Sequence, residues 1–101
     1  MEFDERVYSL LNSVPKGKVT TYREIANALG MKGFRAVGQA LKRNSHAPAI
    51  PCHRVVMSDG SLGGYGGLSK KGAEKKRKLL ESEGVEIKEG RIDIERYLHR
   101  F

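Results

Sequence analysis

Cysteine is nearly absent from this chain of 101 residues, in which Cys52 is the only one. A single cysteine excludes an internal disulfide, and it excludes a zinc site built from several thiolates. Cys52 is therefore either a small buried hydrophobe or a reactive thiol. The residues around Cys52 must therefore be used to decide between these two alternatives.

Long hydrophobic runs are also missing. No apolar stretch approaches the roughly 18 residues that a membrane span needs. Residues 1–11 (MEFDERVYSLL) carry acids early and lack the basic region of a signal peptide. Hydrophobic residues make up 39% and charged residues 31% of the chain, as in soluble globular proteins. We therefore predict one soluble domain, without internal repeats or linkers, in the cytoplasm.

Acidic residues are too few to balance the basic ones. The net charge is +7 and the isoelectric point is about 9.8. Such a charge favours a polyanionic partner, because Lys and Arg release counterions from a phosphate backbone. A basic surface that only maintains solubility has the same composition, so the charge leaves both alternatives open.

The first half of the chain has the pattern of three helices. The first is predicted over residues 4–14, with Asp4 as N-cap and Pro15 and Gly17 after its end. Its apolar face is formed by Val7, Leu10, Leu11 and Val14. Thr21 and Glu24 form a capping box that opens a short helix ending at Gly30. A further helix over residues 34–43 completes the outline of a helix-turn-helix, which many proteins that do not bind DNA share.

The second half predicts loops, one long helix and a hairpin. Residues 44–51 and the glycine-rich residues 58–68 are predicted loops, and residues 52–56 begin compactly and end as a short strand. A long helix is predicted over residues 69–83, anchored by Leu79 and Leu80. Six basic residues lie along it: Lys70, Lys71, Lys75, Lys76, Arg77 and Lys78. Residues 85–87 and 91–93 flank a Glu-Gly pair and predict a small β-hairpin, or wing, before a last helical turn within residues 94–101.

The sharpest local feature is the run Pro51, Cys52, His53 and Arg54. A thiol becomes a good nucleophile only when it loses its proton, and a neighbouring imidazole or guanidinium favours that loss. Neighbours in sequence do not always face each other, so a structural cysteine beside a surface His-Arg pair stays open as the alternative.

Several segments together resemble a known family. They are residues 15–22 (PKGKVTTY), 35–41 (RAVGQAL), Asn44, residues 50–56 (IPCHRVV), 63–65 (GGY) and 79–84 (LLESEG). In this order they resemble the C-terminal, DNA-binding domain of the O6-alkylguanine-DNA alkyltransferases, over nearly the whole chain. The resemblance implies a single α+β domain over residues 1–101, mainly helical, with a winged helix-turn-helix core. The family's N-terminal domain has no counterpart in this sequence.

The resemblance implies DNA repair by irreversible, stoichiometric transfer of an alkyl group from O6 of guanine to the protein. Cys52 matches the acceptor, and His53 matches the base that takes its proton through a bound water. Glu83 matches the acid that orients the histidine, as in other nucleophile–base–acid triads. Asn44 matches the residue that ties the turn before the cysteine. The hydroxyl of Tyr22 matches the donor to the departing guanine.

The resemblance also implies how DNA is bound. The target base is turned out of a duplex, and Arg35 matches the arginine that fills its place. The helix after residue 34 enters the minor groove, and its small residues, Ala36 among them, allow close approach. Gly33 and Gln39 contact the backbone. Phe34 replaces a small residue of the family, so that it either packs inward or acts as an extra wedge.

Tyr65 matches an aromatic wall of the guanine pocket, and backbone groups at Cys52, Val55 and Gly66 match those that read the base edge. The segment 66–72 departs from the family's usual spacing. No cofactor or metal is implied, since the three histidines are scattered: His46, His53 and His99. The expected partner is double-stranded DNA containing O6-alkylguanine. We expect a monomer with no membrane partner, associated with the nucleoid or, in a eukaryote, in the nucleus, with other DNA repair proteins as further partners.

Two other functions stay open. Alkyltransferase-like proteins bind alkylated DNA without repairing it, and they typically carry tryptophan where this chain has Cys52. A winged-helix regulator with a structural cysteine is the third hypothesis.

Overall fold

The computed structural model describes residues 2–45, 49–63 and 70–101. Within these ranges it contains five α-helices, one 3-10 turn and one sheet of two strands. In chain order the elements are α1 (Phe3–Asn12), β1 (Thr20–Thr21), α2 (Tyr22–Ala28), α3 (Arg35–Lys42), a 3-10 turn (Cys52–Arg54), β2 (Val55–Val56), α4 (Lys70–Ser82) and α5 (Ile94–Tyr97). The predicted α+β class is confirmed.

Helix α1 begins earlier than its sequence pattern predicts. Glu2 is the N-cap residue, so the assignment of Asp4 to that position was wrong. Asp4 lies in the first turn, and its carboxylate accepts two hydrogen bonds of 2.7 Å from the Arg43 guanidinium. This ion pair draws Asp4 toward the end of α3 instead of toward the free N–H groups of α1.

The helix-turn-helix is present. Thr21 is the N-cap of α2, and its Oγ1 accepts a hydrogen bond of 3.0 Å from the N–H of Glu24, as the capping box predicts. Gly30 follows α2 with φ of +73°, a left-handed conformation that suits glycine. Helix α3 is one residue shorter at each end than predicted, because Phe34 has the backbone conformation of a flanking residue (φ −118°, ψ 8°).

The sheet joins two segments that are far apart in the sequence. Strand β1 pairs in parallel with β2, with Thr20 opposite Val55 and Thr21 opposite Val56. Strand β1 continues directly into α2, and β2 continues directly from the Cys52–Arg54 turn. The pairing therefore brings the start of α2 beside that turn.

The predicted hairpin is reduced to a single antiparallel bridge between Lys88 and Arg91. Glu89 and Gly90 form its turn, with φ of +52° and +76°. Extended strands over 85–87 and 91–93 were wrong, because the N–H of Val85 bonds to the carbonyl of Leu80 and closes the end of α4. The predicted helical turn in the tail is confirmed by α5.

Two hydrophobic clusters flank the sheet. The first joins the inner faces of α1, α2 and α3 to Cys52, and its fully buried members are Val7, Leu11, Ile25, Ala26, Val37, Ala40 and Val55. The second lies between α4 and the C-terminal segments around Val56, Leu80 and Ile92. Among the described residues, no helix combines the length and the apolar character that a membrane span requires.

Candidate active site around Cys52

Cys52 opens the 3-10 turn and is buried, with 9% of its surface exposed. The turn is closed by the N–H of Arg54, which bonds to the carbonyl of Pro51 at 3.0 Å. The carbonyl of Ile50 accepts two hydrogen bonds, one of 2.8 Å from the Cys52 N–H and one of 2.9 Å from the Asn44 side chain. Asn44 therefore fixes the backbone that leads into the cysteine, and its side chain also hydrogen-bonds to the thiol.

His53 and Arg54 follow Cys52 in the turn and form one hydrogen-bonded group with Glu83. The Nε2 of His53 lies 3.0 Å from Oε2 of Glu83. Arg54 donates to both carboxylate oxygens, from Nε to Oε1 at 2.9 Å and from Nη2 to Oε2 at 2.7 Å. Arg54 also donates to the carbonyl of Val14 at 2.8 Å, which ties the group to the end of α1. His53 and Arg54, which are adjacent in the sequence, thus bind the same carboxylate, that of Glu83 at the end of α4.

This arrangement keeps the imidazole neutral and the carboxylate ionised. Burial lowers the pKa of His53 and outweighs the opposing effect of Glu83. Burial alone would raise the pKa of Glu83, but hydrogen bonds from Arg54 and His53 bring it below its ordinary value. With its proton on Nε2, directed to Glu83, the imidazole has Nδ1 as the nitrogen that accepts a proton.

Burial raises the pKa of the Cys52 thiol, and the hydrogen bond from Asn44 and the charge of Lys76 oppose it only in part. The resting cysteine is therefore a thiol, not a preformed thiolate. A nucleophilic reaction here requires a base at the moment of attack, and His53 is the buried neutral base of this site.

Tyr22 lies near the cysteine and has further aromatic and apolar residues around it. Tyr22, at the start of α2, has its pKa raised by burial and further by the charge that Cys52 would carry. Its ring packs at a tilt against Phe34, with 6.2 Å between ring centroids. A Cβ on Gly63 would lie 3.4 Å from the Tyr22 hydroxyl and 3.6 Å from the Met57 side chain, so these residues meet at one edge of the site. Phe34 and Met57 are 41% and 36% exposed.

The residues expected to contact DNA, apart from the partly buried Tyr22, share one exposed surface at the start of α3. Its members are Gly33, Phe34, Arg35, Ala36 and Gln39. The opposite face of α3 buries Val37 and Ala40 in the core. Phe34 does not pack inward, which was one of its two predicted conformations.

The expected base-reading residues are only partly described. Val55 is fully buried, its N–H bonds to the carbonyl of Cys52, and its own carbonyl accepts a hydrogen bond of 2.6 Å from Lys76. That the backbone of Val55 reads the edge of a DNA base stays a prediction. Tyr65, Gly66 and His46 lie outside the described residues. Among the described residues, no three His, Cys, Asp or Glu side chains are grouped so as to hold a metal ion.

Sequence analysis missed two members of the site, Arg54 as the anchor of Glu83 and Lys76 as a buried cation. The signal for Lys76 was present in the sequence, since residues 76 and 80 lie one helical turn apart. Lys76 therefore interrupts the apolar face that Leu80 marks.

Comparisons with known proteins identify the family of this chain. A family model of the 6-O-methylguanine DNA methyltransferase DNA-binding domain matches residues 2–85. The chain is 50% identical over 92 residues to the bifunctional methyltransferase/endonuclease of Picrophilus torridus, covering 90% of this chain and 30% of that protein. It is 51% identical over 86 residues to the methylated-DNA–protein-cysteine methyltransferase of Metallosphaera sedula, covering 85% and 51%. The chain thus spans about half the length of such relatives, or less.

Two solved structures are similar over most of the fold. One is Schizosaccharomyces pombe Atl1 in complex with damaged DNA containing O6-carboxymethylguanine, with a TM-score of 0.84, 34% identity and complete coverage of both chains. The other is Mycobacterium tuberculosis OGT in complex with DNA, with a TM-score of 0.75, 44% identity and coverage of 83% of this chain and 49% of that one. The chain belongs to the family of 6-O-methylguanine DNA methyltransferase DNA-binding domains.

Proposed function

We propose that this protein repairs DNA by taking an alkyl group from O6 of guanine onto Cys52, once per molecule. One observation carries the proposal. Cys52 sits on the same turn that presents His53 to Glu83 at 3.0 Å, in a chain of this family. A cysteine kept only for packing has no need of a buried base and an oriented carboxylate beside it.

In this mechanism His53 takes the Cys52 proton at Nδ1 through a bound water, and Glu83 stabilises the imidazolium that forms. The sulfur attacks the alkyl carbon as the bond from that carbon to O6 breaks. The electron pair of that bond leaves with guanine, whose negative charge is neutralised by a proton or hydrogen bond from the Tyr22 hydroxyl. The product is a thioether on Cys52, which has no ready leaving group, so that transfer is irreversible.

DNA binding is proposed through the exposed start of α3. The net charge of +7 suits a phosphate backbone, and two structural relatives are complexes with DNA. Arg35 would fill the place of the extruded base, while Gly33, Ala36 and Gln39 lie against the minor groove. This helix can approach the groove closely because the exposed residues near Arg35 include a glycine and an alanine, which are small.

The alternative function is lesion binding without transfer. It is favoured by the similarity to Atl1, whose whole chain matches the whole of this one. Both functions use the same DNA surface, so the fate of Cys52 distinguishes them.

The test is intact-protein mass after incubation with a duplex that carries one O6-methylguanine. We expect a gain of one methylene unit, located on the Cys52 peptide and saturating at one per molecule. Cys52→Ser should gain no mass and still bind the duplex, because serine preserves the size of the side chain. Lesion-selective binding without a mass change would instead support the alternative, and absence of both would contradict both functions.

A further inference from the structure

A charged cleft lies on the surface formed by residues 86–97, after the end of α4. It encloses about 320 Å³, and its lining includes three cations, Lys88, Arg91 and Arg96, and two acids, Glu86 and Asp93. All of its lining residues lie beyond position 85, where the match to the family model ends. The cleft therefore belongs to a part of the chain that the methyltransferase DNA-binding domain model does not cover.

The hairpin turn places two cations of the cleft directly opposite each other. The N–H of Lys88 bonds to the carbonyl of Arg91 at 2.9 Å, and the N–H of Arg91 bonds to the carbonyl of Lys88 at 3.0 Å. Residues paired in this way lie about 5.5 Å apart at Cα and direct their side chains to the same face. Like charges in such a pair destabilise it, and a bound anion would offset their repulsion.

Arg96 is held at the cleft by an aromatic ring and a carboxylate. Its guanidinium carbon lies 5.0 Å from the centroid of the Tyr97 ring. Its Nη1 donates to Glu86 at 3.2 Å, and the ammonium group of Lys88 lies 3.2 Å from the other oxygen of that carboxylate. A guanidinium has five N–H donors, so Arg96 keeps donors for a second carboxylate.

The cleft presents positive charge to the solvent. The side chains of its three cations are 81%, 66% and 63% exposed, against 49% for Glu86. Arg91 reaches the carboxylate of Asp59 only at 4.0 Å, which is too long for a direct hydrogen bond. Lys18 brings a further ammonium group beside the cleft, since its Nζ donates to the carbonyl of Arg96 at 3.4 Å. An acidic ligand therefore suits this surface.

The cleft and the surface proposed for DNA lie on different sides of the sheet. Val55 of β2 belongs to the first hydrophobic cluster and Val56 to the second, because neighbouring residues of a strand point to opposite faces. Ala40 of α3 packs in the first cluster, whereas Tyr97 of the cleft packs in the second. A duplex held by α3 would thus leave the cleft accessible.

We propose that this cleft docks an acidic segment of a partner protein, whose carboxylates are bound by Lys88, Arg91 and Arg96. Arginine binds carboxylates through parallel N–H bonds, and arginine clusters are a recurrent means of recognising acidic motifs. A phosphate backbone fits less well, because Glu86 and Asp93 would face its continuous negative charge, whereas a peptide can place uncharged residues beside them. The proposal does not depend on the chemistry at Cys52.

The test is an NMR titration of the full chain, labelled with 15N, at about 0.15 M salt, where exposed charges are screened beyond about 8 Å. The probe is a short peptide of serines with glutamates at two alternate positions, blocked at both ends, and the control peptide has glutamines in their place. The glutamate peptide should shift the side-chain N–H signals of Arg91 and Arg96 in a saturable way, and the glutamine peptide should not. Equal shifts from both peptides, or shifts centred on α3, would overturn the proposal.

Arg91→Gln and Lys88→Gln each remove one charge from the cleft, and the matched control Lys75→Gln removes one exposed charge from α4. Losing a hydrogen bond to a charged group should weaken binding of the glutamate peptide about tenfold in the two cleft variants. The control should bind like the wild type. Neither cleft variant should melt earlier than the wild type, because both side chains are exposed and repel each other. Unchanged affinity in the cleft variants, or an equal loss in the control, would overturn the proposal.

An undamaged DNA duplex, added to the complex with the glutamate peptide, separates the cleft from the DNA surface. The duplex should shift the signals of Arg35 while the signals of Arg91 stay at their peptide-bound positions. Displacement of the peptide would overturn the proposal and assign the cleft to phosphate. Methyl transfer by Arg91→Gln should equal that of the wild type. If the wild type itself fails to transfer, the proposed function fails, while the peptide titration still decides the role of the cleft.

Discussion

Arg54 and Glu83 are joined by two hydrogen bonds, one to each oxygen of the carboxylate, at 2.9 and 2.7 Å. This pairing fixes the plane of the carboxylate, so that Oε2 also meets the Nε2 of His53 at 3.0 Å. The orientation of the proposed base is therefore set by a carboxylate 30 positions away in the sequence, which is itself held by Arg54, the residue next to His53.

Glu83→Gln should both destabilise the protein and slow transfer. Glutamine leaves the guanidinium of Arg54 without its counter-charge where the two side chains are only 15% and 9% exposed. Breaking such a buried pair costs about 3 kcal/mol. Urea unfolding at pH 7 measures this cost. The control is Glu81→Gln, whose 3.5 Å pair with Arg77 is exposed, and equal stability losses in the two variants would contradict the buried role of Glu83.

The fold should lose stability in acid in two stages. The pKa of His53 is lowered in the folded state, so protons bind the unfolded chain more readily and stability falls once the pH drops below about 6.5, its ordinary value. The pKa of Glu83 is also lowered, so its contribution is present above about 4.5 and is lost as the pH falls further.

The free energy of unfolding, measured from pH 7.5 to 4 for the wild type and His53→Gln, separates these stages. The variant should stay flat through the histidine range and decline only in the carboxylate range. A parallel decline of both proteins between pH 6.5 and 5 would show that His53 is not held neutral by the fold.

Tyr22→Phe should slow methyl transfer while leaving lesion binding intact. The ring and its contact with Phe34 are kept, and only the hydroxyl that would serve the departing guanine is removed. General acid catalysis contributes about a hundredfold or more, so a loss of that order in the single-turnover rate is expected. Tyr8→Phe is the matched control, because it removes a hydroxyl that bonds to the Ala40 carbonyl. Equal rates for wild type and Tyr22→Phe would exclude the proton-donor role.

Phe34→Ala should weaken lesion binding without harming the fold. Phe34 is 41% exposed beside Arg35, and an aromatic side chain at a minor-groove surface can enter the base stack. Stacking on an aromatic side chain contributes about 1–3 kcal/mol, which corresponds to a loss of about five- to 150-fold in affinity. Fluorescence anisotropy with an O6-methylguanine duplex measures it.

The salt dependence of binding shows whether the loss of affinity in Phe34→Ala comes from stacking or from charge. Phenylalanine carries no charge, so Phe34→Ala should leave the slope of log K against log salt unchanged. Arg35→Ala, which removes a positive charge from the same surface, should reduce that slope by about one. Unaltered affinity of Phe34→Ala would assign the ring to packing against Tyr22 alone.

Local signals predicted the helices better than the sheet. The capping box at Thr21 and the apolar face of α1 depend on residues within one or two turns, and both are found in the structure. The parallel pairing of Thr20 with Val55 joins distant segments of two residues each, too short for an alternating pattern. The 85–87 strand failed because the α4 terminus uses the Val85 N–H, a competition that a strand pattern does not reveal.

The residues of the site show the same difference between local and long-range signals. His53 and Glu83 were expected together only because of the resemblance, since nothing in their spacing brings them to 3.0 Å. Lys76 is one of six basic residues on one helix, so its spacing from Leu80 alone was too weak a signal to predict that it is buried. Burial is decided by the packing of α4 against the Cys52 turn, which composition does not encode.

Gly60→Ala should be among the most damaging single substitutions in this protein. Gly60 has φ of +89°, and a Cβ there would lie 2.3 Å from the carbonyl oxygen of Ile92. That backbone cannot move freely, because the Ile92 N–H bonds to the Gly60 carbonyl at 2.8 Å. Strained conformation and overlap together should cost about 3 kcal/mol or more.

The matched control is Gly30→Ala, with φ of +73° and no atom within 4 Å of the added Cβ. It carries the left-handed strain alone, which is about 1 kcal/mol for an alanine. Gly60 lies in the turn between Met57 and Gly63, which are at the edge of the site. Gly60→Ala should therefore also slow alkyl transfer, whereas Gly30→Ala should not. Equal losses of stability in urea for the two variants would mean that the backbone at Ile92 yields, and that the close contact does not hold this edge of the site in place.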